Sequence, residues 1–278
     1  MLQLPYCMKK LPNIFYRKNR ILLKELVKTD FKLRYQGSVL GYLWALIKPL
    51  MMFTVLYIVF VNFLRIGGDI PHYAVYLLAG VILWSFFVES TNQGIQAIIV
   101  RSDLIRKISF PKYIIVTSAT ITALINLCIN LCVLVVFALI NGVALSISWL
   151  LVPILVVELY ALSLGIAFLL GAINVRYRDI SSIWEVIIQA AFYATPIIYP
   201  LTMISVHSEI AAKALLLNPV AQIVQDIRYA LVTKETITIW SFVDTPLLQF
   251  VPIIIVLIVM ILAALFFRKR SKRFAEEV

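Results

Sequence analysis

The sequence predicts an all-α integral membrane protein, with six transmembrane helices, an N-terminal amphipathic interfacial helix and short extracytoplasmic helices between spans five and six. Three observations predict it. Hydrophobic residues make up 62% of the 278 and charged residues 14%, where a soluble domain carries roughly 45–50% and 25%. The apolar residues gather into six runs of membrane-crossing length, and most Lys and Arg gather in alternate segments between them. With a mean hydropathy of +0.97, no water-soluble fold could cover that much apolar surface. No long polar stretch divides the chain, so residues 1–278 read as one transmembrane domain: a basic segment at 1–39, the spans at 40–267 and a basic tail at 268–278.

Ahead of the first span, Arg20, Lys24, Lys28 and Lys32 recur every four residues, while Leu22, Leu23, Leu26 and Val27 fall on another side. Such a helix lies in the interface with its basic stripe toward anionic headgroups. The spans are placed at 40–63, 73–90, 113–140, 149–173, 183–199 and 251–267. A bilayer demands about 20 apolar residues per helix, because every backbone N–H and C=O must be paired inside the hydrocarbon. The fifth run is short and ends in Pro196 and Pro200. Aromatic residues mark the first span (Tyr42, Trp44, Tyr57), the second (Trp84, Phe86, Phe87) and the fifth (Trp184, Phe192, Tyr193, Tyr199). Rings at span ends form interfacial belts, and such faces also stack on the C–H faces of sugars. Acids in spans are costly, and Glu89, Glu158 and Glu185 lie in or near them; Glu158, the deepest, is expected to face a helix partner or a polar pore. Between the last two spans, Asn218 caps a helix with Pro219 at its first position, and Val220, Ile223, Val224, Ile227 and Leu231 form a stripe that must be buried.

Charge sets the orientation. Nine Lys and Arg precede the first span, from Lys9 and Lys10 to Lys32 and Arg34; four lie in 91–112, two in 174–182 and five in the tail. The alternate segments hold only Arg65, Lys213, Arg228 and Lys234. Translocated short loops are depleted in Lys and Arg, so both termini are expected on the cytoplasmic side of a bacterial or archaeal inner membrane. The same pattern explains the net charge of +11 without a nucleic-acid partner.

Several chemistries find no support. Neither G-x-x-x-x-G-K-[ST] nor G-x-G-x-x-G occurs, so the chain itself is expected to bind no nucleotide or other cofactor, and ATP would fall to a partner. His72 and His207 have no Cys or acid at ligand spacing, so no metal site and no catalytic residue is expected. Cys7, Cys128 and Cys132 suit neither a disulfide framework nor zinc, and the latter two read as small buried residues. The segment 101–112, RSDLIRKISFPK, is a short basic helix carrying Leu104, Ile105 and Ile108. It reads as a knob for a groove in a soluble partner, or as a surface loop.

These landmarks resemble the permeases of type-2 ABC exporters that move lipid-linked polysaccharides in O-antigen, capsule and teichoic-acid export. YQGSVLGYLWALIKPL (35–50) is similar to the family's entry to the first span, and RSDLIRKISFPK to its coupling segment. NVRYRDI (174–180), TPIIYP (195–200) and LNPVAQIVQDIRYAL (217–231) resemble later motifs. The resemblance implies a homodimer joined to two ATPase subunits that bind ATP and Mg, a polyprenyl-linked polysaccharide as substrate, and surrounding membrane lipids. It implies a coupling helix formed by Arg101, Asp103, Leu104, Ile105, Arg106 and Lys107, and gate helices within 201–250. Tyr42, Trp44, Tyr57, Phe192, Tyr193 and Tyr199 become candidates for the channel wall, with Lys32 and Arg34 for meeting the lipid pyrophosphate. An exporter of drugs or small lipids, a membrane enzyme acting on polyprenyl-linked sugars and an ATP-independent flippase remain as alternatives.

Overall fold

The computed structural model describes residues 17–68 and 70–277, so Cys7, Lys9 and Lys10 lie outside the described residues. Helix α1 (Arg17–Tyr35) carries the predicted basic stripe, with Lys24, Lys28 and Lys32 exposed. Its Leu22, Leu23, Leu26 and Val27 are half-buried, and the helix lies against the third long helix of the chain. A 3₁₀ turn at Gly41–Leu43 leads into α2 (Trp44–Leu56), which continues as π-helical backbone through Tyr57–Phe63.

The remaining helices are α3 (Tyr73–Val100), α4 (Ser102–Lys107), α5 (Tyr113–Ile140), α6 (Val152–Asn174), α7 (Ile180–Ala194), α8 (Leu201–His207), α9 (Glu209–Leu216), α10 (Pro219–Leu231), α11 (Ile239–Phe242), α12 (Pro246–Gln249), α13 (Val251–Arg270) and α14 (Phe274–Glu277). Five segments are long and apolar enough to cross a membrane: Gly41–Phe63, Tyr73–Val100, Tyr113–Ile140, Ile147–Asn174 and Val251–Arg270. α7 is apolar but has 15 residues, about 22 Å at 1.5 Å per residue, short of a hydrocarbon layer roughly 30 Å thick. It ends where the sequence turns to TPIIYP, whose residues 195–198 are buried.

α3 is the central helix, packed by α2, α5, α6, α7 and α10, and residues 75–84 along it are buried almost without a break. Lipid tails are as apolar as leucine, so helices in a bilayer associate through close approach and hydrogen bonds rather than through exclusion of water. Both are present. A Cβ on Gly94 would stand 2.3 Å from Ala167 Cβ, and one on Gly171 would stand 2.9 Å from the Gly94 carbonyl oxygen, so these glycines let α3 and α6 meet backbone to backbone. Between helices, Asn130 donates to Ala45 O (3.0 Å), Asn174 to Ile95 O (3.2 Å), and the Trp184 indole to Thr91 Oγ1 (3.1 Å).

α10 forms as its sequence requires. Asn218 accepts from Val220 N (3.0 Å), Pro219 occupies the first turn, and the stripe Val220, Ile223, Val224, Ile227 and Leu231 is buried against α3, α6 and α13. Its polar residues are buried too, which the stripe did not foretell. Arg228 is fully enclosed: its guanidinium donates to Pro196 O and Ile197 O (2.6 Å each), Tyr76 O (3.0 Å) and Gln225 Oε1 (3.1 Å), and stacks 3.7 Å from the Tyr76 ring centre. Glu158 faces a helix partner, as expected, lying beside Gln222 and Asp226 of α10. The reading of Cys128 and Cys132 as buried is corrected: both are exposed on the outer side of α5, because α3 and α6 cover the opposite side.

Candidate substrate groove and coupling helix

A cavity of about 710 Å³ opens between α2, α3 and α7, with α5 closing one side. Its wall carries rings from three helices: Trp44 from α2, Trp84 from α3, and Phe192 and Tyr193 from α7. Trp84, Phe192 and Tyr193 follow one another, with Trp84 and Phe192 ring centres 5.8 Å apart and Phe192 and Tyr193 5.3 Å apart. The same cavity is lined by the side-chain amides of Asn92, Gln93, Asn126 and Gln189, the carboxylate of Glu89, and the cations Arg34 and Lys48. Flat apolar faces beside donors and acceptors suit a ligand with C–H faces and many hydroxyls.

The charges inside the cavity are arranged asymmetrically. Arg34, from the last turn of α1, forms an ion pair with Glu89, and the same carboxylate oxygen accepts from Asn126 Nδ2 (2.7 Å) and Gln93 Nε2 (3.1 Å). That network ties α1 to the wall of the groove. Lys48 sits one helical turn beyond Trp44, is exposed, and has no ion pair or hydrogen bond among the described residues.

Of the channel-wall and pyrophosphate candidates taken from the resemblance, Arg34, Trp44, Phe192 and Tyr193 meet in this cavity, beside Trp84 and Glu89. The others lie elsewhere. Lys32 is exposed on α1, and Tyr42 stacks on Phe31 with ring centres 5.1 Å apart. Tyr57 packs beside Phe53, and the Tyr199 hydroxyl donates to Tyr193 O (3.0 Å), bracing the end of α7. Sequence reasoning missed Lys48 and the four amides. A signal was present: Lys48 is a charge inside an apolar run, and it is omitted when cations are counted only between spans.

The second site is the segment 101–107. Arg101, between α3 and α4, forms an ion pair with Asp30 of α1, and burial depresses its guanidinium from the ordinary arginine value. Ile105 is buried in the chain's own core with Phe267 and Phe274, and α14 packs against α4. Lys112 donates to Ile105 O (3.3 Å) at the end of α4 and lies 4.6 Å from the Phe110 ring centre. Asp103, Arg106 and Lys107 are exposed and Leu104 half-buried, so these four rather than Ile105 form the outward surface.

Long apolar helices around a groove of rings, amides and cations, with a charged short helix braced beneath, define a multi-pass membrane transport subunit. The family profile described as ABC-2 type transporter matches residues 21–232, and the chain belongs to that family. It is similar to the O-antigen export system permease protein RfbA of Myxococcus xanthus, 32% identical over 204 residues, which cover 73% of this chain and 77% of that protein. Two proteins of the same description from Klebsiella pneumoniae are each 30% identical over 184 residues, covering 66% of this chain and 70% of theirs.

Proposed function

We propose that the chain is the transmembrane subunit of an ATP-binding cassette exporter that carries a polyprenyl-pyrophosphate-linked polysaccharide of the O-antigen kind across the cytoplasmic membrane. The groove carries the reading, because aromatic rings sharing one wall with side-chain amides match a glycan better than a wholly apolar drug. The relatives named as O-antigen export permeases support it independently. Two copies of the chain would face each other across the groove. α7 would serve as a short sixth span, with both termini cytoplasmic, and α8 to α10 would close the outer mouth.

ATP and Mg would be bound by a separate ATPase subunit seated against α4. The Asp30–Arg101 and Arg34–Glu89 pairs give its movements a route to α1 and to the groove wall. The test is Leu104→Asp combined with Lys107→Glu, both outside the chain's own core. Polysaccharide should fail to reach the cell surface while the permease remains in the membrane at its usual amount. Normal export by this double variant would refute the coupling role of α4.

A further inference from the structure

Lys48 stands apart from the other charges of the groove. It lies seven residues beyond Gly41, where the first long apolar segment starts, about 10 Å along the helix at 1.5 Å per residue. An ammonium at that depth is costly unless an anion or water meets it. The groove's carboxylate does not serve, since Glu89 already receives Arg34, Asn126 and Gln93.

We propose that Lys48 receives the phosphate charge of the lipid-linked substrate as it enters the groove, an assignment that rests on the export reading above. The geometry fits a molecule carrying phosphate between an apolar tail and a sugar. Trp44, Lys48 and Met52 are spaced at one-turn intervals and all line the cavity. The same cavity is lined by Trp84, Phe192 and Gln189, which offer aromatic faces and an amide to the first sugars. On the same face of the helix, up to two turns beyond Lys48, Met51, Met52 and Val55 are exposed and give an isoprenoid tail an apolar wall. The assignment moves the phosphate contact from Arg34, which is committed to Glu89, to Lys48 one or two turns inside the span. The competing role is an anchor whose stem reaches back to the headgroups.

The test is binding of radiolabelled polyprenyl diphosphate to the full chain in phosphatidylcholine nanodiscs, with polyprenol, which lacks the phosphates, as the control ligand. Lys48→Gln should weaken diphosphate binding about tenfold, Lys48→Arg should preserve it, and polyprenol binding should be the same in all three proteins. Equal diphosphate binding by Lys48→Gln would overturn the Lys48 assignment, as would an equal loss for polyprenol. Phosphatidylglycerol that displaces the diphosphate from the parent chain at equal mole fraction would assign Lys48 to bulk lipid and overturn it too. A parent chain that binds no diphosphate at all would instead overturn the export reading itself.

Discussion

Arg228 shows how much one residue can hold. A buried arginine is usually met by a carboxylate, yet here three backbone carbonyls, one amide oxygen and a tyrosine ring do the work. The carbonyls of Pro196 and Ile197 lie just past the end of α7, where no helical N–H remains to receive them. Arg228 therefore pins α10 to the turn after α7 and to α3. Replacing it with Met leaves those oxygens unpaired and should lower stability by about 2–4 kcal/mol, read as a fall in thermal unfolding temperature in detergent. Gly80 makes the room: a Cβ there would come within 2.3 Å of the guanidinium, which its hydrogen bonds prevent from yielding. Gly80→Ala should cost about 1–3 kcal/mol alone and much less in the Arg228→Met background, so the two changes should be strongly non-additive. In the sequence Arg228 reads as an outward-loop charge, since nothing local to 217–231 announces the carbonyls that enclose it.

At the scale of elements, α3 and α6 depend on Gly94, Ala167 and Gly171. Gly94→Ala should separate the helices and lower the unfolding temperature by several degrees, while adding Ala167→Gly should recover most of the loss, because the clash is between those two Cβ atoms. The link between α1 and α4 makes a separate prediction. Asp30→Arg or Arg101→Asp alone should reduce export several-fold by placing like charges together, and the double reversal should restore much of it, measured as surface polysaccharide per permease. Helix α1 and the cap of α10 were legible from spacing alone, because amphipathic periodicity and an Asn-Pro start are local properties. The inward turn of Ile105 was not. It depends on α14, more than 160 residues away, whose Phe274 occupies the space beneath α4.

Across the whole molecule, the distribution of Lys and Arg predicts a reporter fused after Val278 to be active in the cytoplasm, and one inserted in the 141–148 loop to be active outside. A cytoplasmic signal from the loop insertion would reverse the orientation. The sequence by itself determined the membrane class, the family and, among its six apolar runs, the five that form helices long enough to cross a bilayer, since apolar runs and motif order need no knowledge of what touches what. It also placed the aromatics that line the groove, but could not separate Trp44, Phe192 and Tyr193 from Tyr42, Tyr57 and Tyr199. Only the tertiary structure decided that. A ring's role depends on the direction it takes from its helix and on which neighbour lies there, and for Lys48, Glu89 and Arg34 the deciding fact is which charge has already found a partner.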